Sequence, residues 1–496
     1  MLPLHKFLEA NQMLKLYTAS FFFLFLSFAL NAQTHKETHS TKTEHHDHSG
    51  HKHDHSDKEH DHSGHDHSGH DHDSHNHKGH DHGDHDHGDH GHQSHDGGHH
   101  HHLKYMVNPT TNCGASFTTK SLEGHYDPTV TAIGHISDAN VYTIMDIIRI
   151  PLPAIIYNKE RGLEIFSTSK FEAGHHDDGH KGYKDYVLYS GNIHRITCPN
   201  FNQKDSYVVS GFDSAKIKDE NGKSAEARYA VVGNQAYRME QKTIWDAGLL
   251  GGGPSGFIDL SPTKNVVSMF LVSLILFFLF RAAAKKYSGD PSAPSGVQAF
   301  LEPMFQFIRD DVAVPFLGDK HEKFLPLLMT IFFFILGLNL WGQVPFLGSV
   351  NVTGSLTVTA IMAIIVFILT NINGNGDYWK HILWPPDTPW FVKIILIPVE
   401  LLGMFIKPLT LMLRLAGNIS AGHIAILSFV GLIFIFGKAG TNMAGSITGT
   451  ALAVPLTMFM MAIELIVAFV QAFVFTILTA SYLGAATEEH HHDDHH

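Results

Sequence analysis

The residues best placed to do chemistry lie where ionisable side chains are most costly. Arg414 sits in LMLRLAGNIS at 411–420, within a stretch from 391 to 436 that is almost wholly apolar. A guanidinium stays charged under ordinary conditions. Setting one against lipid costs on the order of 3 kcal/mol, and Arg414 lies too deep in the stretch to snorkel to an interface. It must face protein, water or an anionic partner. Glu400, Lys407 and Arg414 are spaced at about two helical turns, with Asn418 one turn further on. His423 falls on the opposite side of an ideal helix. A second apolar stretch, 451–484, carries Glu464 and Gln471 at the same two-turn interval. Two such stripes on neighbouring helices predict a polar seam through otherwise dry protein. His423 and Glu464 can pass protons near neutral pH. Arg414 relays a proton poorly; its work is electrostatic, favouring an ionised carboxylate opposite it and opposing another cation. Glu400 is a candidate carboxylate, but Lys407 is nearer to it, which leaves room for an acid supplied by a partner. The bland alternative is a static set of paired groups that holds two helices together.

Positioning these residues needs a membrane domain. VVSMFLVSLILFFLF at 266–280 is the core of a first span, followed by Arg281, Lys285 and Lys286, whose positive charge places that end in the cytoplasm. GVQAFLEPMFQFIRDDVAVPFL carries Glu302, Arg309, Asp310 and Asp311, so it reads as an amphipathic surface helix. Residues 324–347 and 355–370 cross outward and back. The stretch 391–436 would be roughly 69 Å long as a helix, against a hydrocarbon core of about 30 Å. It either breaks into two spans or runs tilted or bent, and Pro398 and Pro408 permit bends. The expected fold is an all-α polytopic membrane domain with about five passes, two long tilted C-terminal helices and one amphipathic surface helix.

The rest of the chain differs in kind. FFFLFLSFAL at 21–30, with basic residues before it and small residues after, predicts a signal peptide over 1–32 and export of the segment behind it. Residues 35–102 hold 27 of the 42 histidines and almost no apolar residue, so 33–110 reads as a disordered His/Asp-rich segment. Its imidazoles and carboxylates can bind transition metals weakly; the alternative is a solvated spacer. Residues 111–256 predict a soluble, partly β insert, with runs such as YVLYSGNIHRI between turn residues and a histidine patch at 174–180. Cys113 and Cys198, the two cysteines, can form one disulfide outside the cytoplasm. The tail at 487–496 is acidic and His-rich. Net charge, −13 overall, is dominated by these polar regions and identifies no partner. No Walker motif is present, and nothing points to nucleic acid.

PVELLGMFIKPLTLMLRLAGNISAGH at 398–423 and AVPLTMFMMAIELIVAFVQAFVFTILTASYLGAATEEH at 453–490 resemble the membrane subunit a of F-type ATP synthase. RAAAKKY, LGLNLWGQVPF and NVTGSLTVTAI are weaker matches, and the likeness covers about 257–490. The resemblance implies that Arg414 is the essential arginine beside a rotating c-ring, with Asn418 and Gln471 as polar neighbours. It makes His423 and Glu464 an acid/base pair of the outer proton path, and Glu400 and Lys407 accessory polar positions. Family members differ in which of the two positions bears the histidine and which the acid. The resemblance further implies c-ring and peripheral-stalk b-subunit partners, a bacterial inner membrane location with the C-terminus cytoplasmic, no required cofactor, and ATP chemistry on other subunits. A His-rich transition-metal transporter and a purely structural assembly subunit are the competing readings. The membrane part lacks an HxxxD or HxxxH ligand pair, which weighs against the first.

Overall fold

The computed structural model describes residues 103–107, 114–121, 137–144, 148–174, 177–198, 201, 205–218, 224–241, 256–287, 295–344, 350–385, 388–438 and 441–488. The signal peptide, the histidine tract to residue 102 and the tail from 489 lie outside the described residues, as do His175 and His176 of the histidine patch.

The insert is built from β1 (Leu103–Val107), β2 (Phe117–Ser121), β3 (Val141–Ile144), β4 (Ile148–Pro151), β5 (Pro153–Asn158), β6 (Gly162–Ser167) and β7 (Lys181–Gly182). Its later strands are β8 (Tyr186–Tyr189), β9 (Asn192–Ile196), β10 (Tyr207–Val208), β11 (Gly211–Lys218), β12 (Ser224–Val232), β13 (Gln235–Glu240) and β14 (Phe257–Asp259). A five-stranded sheet has the order β11-β12-β13-β9-β8 and a three-stranded sheet β14-β5-β6; β1-β2, β3-β4 and β7-β10 pair separately. β1 falls inside the segment read as histidine-rich, and β14 lies beyond the predicted end of the insert.

Local chemistry sets these pairings. Ser190 and Gly191, between β8 and β9, both have positive φ (46° and 72°), the two-residue geometry whose twist matches antiparallel strands. One core gathers Ala154, Ile156, Tyr186, Leu188, Ile193 and Phe257 between the sheets. Around it Arg195 pairs with Asp185 at 2.6 Å, Lys184 pairs with Glu164 at 2.5 Å, and Arg161 bridges Glu164 and Asp185. Cys198 is disulfide-bonded, in keeping with the single bridge that two cysteines allow.

The membrane domain comprises α1 (Lys264–Tyr287), α2 (Val297–Phe307), a π-helical stretch Ile308–Ala313, α3 (Val314–Leu317), α4 (His321–Gln343), α5 (Leu356–Ile372), α6 (Gly376–Leu383), α7 (Trp390–Phe436) and α8 (Met443–Thr487). Among the described residues, four helical runs are long and apolar enough to cross a membrane. A fifth is added if α5 and α6, bent by 106° from each other, form one span. This is the all-α polytopic fold that hydropathy predicts, with the β insert preceding it. Gly318, at φ 50°, separates the α2–α3 segment from α4. Of the two readings of 391–436, the structure takes the single continuous helix: α7 runs 47 residues through Pro398 and Pro408. Pro455 is likewise accommodated within α8, which starts where the Asn442 side chain accepts from Gly445 N at 3.2 Å. The two helices pack against each other, α4 packs on α8 and α5 on α7. The α4 core, including Leu328, Phe332 and Ile335, is fully buried beneath them.

Candidate functional site

α7 buries one stripe, through Met404, Leu411, Leu415, Ile419 and Gly422. Arg414 and Asn418 flank it and are exposed, while His423 lies on the other flank and is largely covered. The 180° separation expected from helical periodicity is therefore present. Lys407 is exposed and Glu400 half-exposed, on the same flank as Arg414. On α8, Glu464 and Gln471 are buried. The predicted seam is thus divided. The α7 stripe looks outward and the α8 pair looks inward, because spacing fixes a helix face but not the rotation of that face toward a neighbour.

Arg414 makes no ion pair or hydrogen bond among the described residues; Tyr482 of α8 lies within its electrostatic reach. Beside it on α7, Ile406 and Leu413 are exposed, and α8 adds exposed Leu465, Ile466 and Val470. This surface is largely apolar and uncovered, with Arg414 and Lys407 exposed on one flank of it. Surfaces of that kind mark lipid or a partner protein.

His423 and Glu464 are brought together. His423 Nε2 stands 3.7 Å from Glu464 Oε1, and Glu464 is 3% exposed. Two residues not expected as site residues border them. Gln343 Nε2 donates to the Glu464 carbonyl at 2.7 Å, and Asn339 Nδ2 donates to the Ala468 carbonyl at 3.0 Å. Asn351 Nδ2 lies 3.4 Å from Ser420 Oγ, whose hydroxyl donates to the Gly354 carbonyl at 3.1 Å. Glu464 Oε1, Asn339 Oδ1 and Trp341 Nε1 are buried without a hydrogen-bond partner among the described residues. The signal for Asn339 and Gln343 was available: two amides four positions apart on an otherwise apolar helix share a face.

Toward the opposite end of α7 lies a small, partly open recess among α5, α6, α7 and α8, lined by Thr370, Asn371, Tyr378, Lys407, Pro408 and Tyr482. Lys407 Nζ stands 5.5 Å from the Tyr482 ring centre. Because α7 and α8 are antiparallel, the His423–Glu464 and Lys407–Tyr482 contacts bracket Arg414 and place Gln471 near its level. The arrangement is two polar regions on one helix pair, separated by an exposed arginine. Among the described residues no group of three His, Cys, Asp or Glu side chains could hold a metal ion.

The family model described as ATP synthase A chain matches residues 266–484, the helical part that carries these groups. A second, described as a domain of unknown function (DUF8433), matches 131–216 in the insert. The chain is 39% identical over 326 residues to ATP synthase subunit a of Anaeromyxobacter dehalogenans (strain 2CP-C), covering 64% of this chain and 75% of that one. It is 39% identical over 248 residues to ATP synthase subunit a of Anaeromyxobacter sp. (strain Fw109-5), covering 49% of this chain and 58% of the relative. It is also 39% identical over 249 residues to ATP synthase subunit a 2 of Chlorobaculum tepidum, covering 49% and 66%. The last two alignments span less than two thirds of the relatives' own lengths. A multi-pass membrane protein with an exposed arginine midway along an apolar helix is the class that fold and site define. The chain belongs to the ATP synthase subunit a family.

Proposed function

We propose that this chain is the stator subunit of the membrane sector of a bacterial F-type ATP synthase, placed in the inner membrane. It couples proton translocation to rotation of a c-ring, with ATP chemistry on other subunits. The observation that carries this reading is Arg414, a cation exposed on an apolar face and bracketed by two polar regions.

On this reading the missing anionic partner is the carboxylate of each c-subunit as it passes. His423 and Glu464, with Asn339 and Gln343 beside them, form the outer half-channel. Their buried, unpartnered polar atoms are those a moving proton or water would engage. The recess at Lys407 and Tyr482 forms the inner half-channel. A carboxylate protonated from one side can travel through lipid uncharged, because neutralisation removes most of its transfer cost. It releases its proton on the other side after nearly a full turn. Arg414 stabilises the ionised carboxylate between the channels and repels a cation trying to pass directly. Asn418 and Gln471 keep the space beside it polar, and Glu400 and Lys407 are accessory. A potential of 100 mV supplies about 2.3 kcal/mol per charge, so several protons must drive each ATP. Peripheral-stalk b-subunits would hold the chain against the torque.

The test is Arg414→Ala in membrane vesicles carrying the complete complex. The expected outcome is normal assembly with ATP-driven proton pumping abolished. An assembled variant that still pumps would favour the purely structural reading. The histidine tract is proposed to buffer protons near the outer entrance at pH about 6.5. Deleting 35–102 and pumping across pH 5.5 to 8, with and without a chelator, checks both that role and weak metal binding.

A further inference from the structure

The insert does not merely precede the membrane domain; it sheathes the start of α1. Ser261, Thr263, Lys264, Asn265 and Ser268 are all buried. Lys264 N donates to the Ala139 carbonyl at 2.8 Å, and Asn265 N donates to Asp138 Oδ1 at 3.1 Å. The Tyr142 hydroxyl lies 3.4 Å from Ser268 Oγ, and Tyr142 and Leu152 pack in one apolar cluster with Val266 and Met269. β3 therefore lies alongside the first turns of α1.

The β3–β4 ribbon is two-faced. Residues directly opposite in an antiparallel pair share a face. Tyr142 opposes Ile150, and Ile144 opposes Ile148, so these four form one apolar face. On the other face, Thr143 Oγ1 donates to Asp177 Oδ1 at 2.6 Å, and Arg149 opposite it stands 4.0 Å from the same oxygen. That face is tied to the body of the insert. Of the apolar face, Tyr142 and Ile144 pack on the membrane core, whereas Ile148 and Ile150 of β4 remain exposed, the former by 56%.

Depth decides what covers them. The apolar stretch of α1, Val266 to Phe280, spans about 22 Å, well short of a hydrocarbon core of about 30 Å. The polar residues just before Val266 are hidden by the insert, so the surface presented to the surroundings at that level belongs to the insert. One turn below Val266, Phe270 is exposed and starts the free face of α1. We propose that the β3–β4 ribbon is a membrane-interface anchor, with Ile148 and Ile150 seated among the acyl chains of the outer leaflet beside α1. The ribbon completes the short first span and fixes the insert upright on the bilayer.

The test uses the full chain, assembled in its complex and reconstituted in phosphatidylethanolamine–phosphatidylglycerol vesicles. A nitroxide is attached at Ile150→Cys, with Ile148→Cys as the second site on the same face. Lys159→Cys is the aqueous reference, since β5 runs antiparallel to β14 and so carries its far end away from α1. The expected result at 148 and 150 is strong relaxation by oxygen and weak relaxation by a water-soluble nickel chelate, the reverse of Lys159. Strong nickel relaxation at both sites would place the ribbon in water and overturn the proposal. Protection from both agents would mean that a protein subunit covers the ribbon, which overturns it equally.

Discussion

His423 and Glu464 meet because α8 comes close enough to α7 at Gly422 for the carboxylate to lie against the helix. A β-carbon built on Gly422 would stand 2.9 Å from Glu464 Oε1, while His423 Nε2 is 3.7 Å from that same oxygen. Gly422→Ala is therefore expected to push the carboxylate aside and lengthen the proton step. Its far end can move, so folding should survive. Proton flow through the membrane sector, measured by dye quenching in vesicles, should fall several-fold with assembly unchanged. Undiminished flow would mean that this contact lies off the path.

The pair also predicts a particular pattern of rescue. If the chemistry needs one imidazole and one carboxylate at this distance, and not a given order, His423→Ala and Glu464→Gln should each cut proton flow about tenfold or more, the scale of a lost acid/base group. The double variant with glutamate at 423 and histidine at 464 should recover a substantial part. Failure of the exchange to exceed either single variant would assign the two residues separate structural tasks.

A tighter glycine lies at the far end of α8. A β-carbon at Gly484 would stand 2.1 Å from the Phe316 carbonyl oxygen of α3. That neighbour is backbone and cannot swing away. Gly484→Ala should destabilise the packing of α3 on α8 by about 1–3 kcal/mol, read as a lower thermal midpoint in detergent. Gly403→Ala, inside α7 with nothing within 4 Å, is the control and should hold or raise the midpoint, because alanine is the better helix former.

Much of this was legible in residue types. Hydropathy and length specify the membrane helices, since few other structures satisfy a backbone in lipid. Arg414 and Glu464 stand out as charges in apolar runs, and the half-turn offset of His423 follows from 3.6 residues per turn. The direction in which each polar face points was not legible. That depends on which side of α7 its neighbours cover, and Leu411, Leu415 and Ile419 look no more apolar in sequence than Leu409 or Leu413. The continuity of α7 through Pro398 and Pro408 was equally open, because both a break and an uninterrupted helix fit the composition. Nor could the sequence reveal that Asp138, Ala139, Tyr142 and Leu152 grip the top of α1, a contact made across more than a hundred positions.

The insert has its own acid-sensitive group. Burial raises the pKa of the Asp178 carboxyl from 3.8 to about 7; the N–H of Ser190, donating at 2.6 Å, opposes the rise, and the charge of Asp177 adds to it. The folded chain thus binds this proton more tightly than the unfolded chain does. Below pH about 4 both states hold it and Asp178 costs nothing. Between about 4 and 7 the unfolded state has released the proton while the folded state keeps it, so stability falls as pH rises. Above about 7 both are ionised and the full cost is present. Asp178→Asn keeps an acceptor for Ser190 and removes the charge. It should match the parent chain near pH 4 and exceed it progressively to pH 8, by about 1 kcal/mol or more even with solvent screening discounted. Hydrogen exchange at the β8 and β9 amides, which flank Ser190, reads this difference directly. Parallel pH profiles for the two chains would show that Asp178 is solvated and ionised throughout.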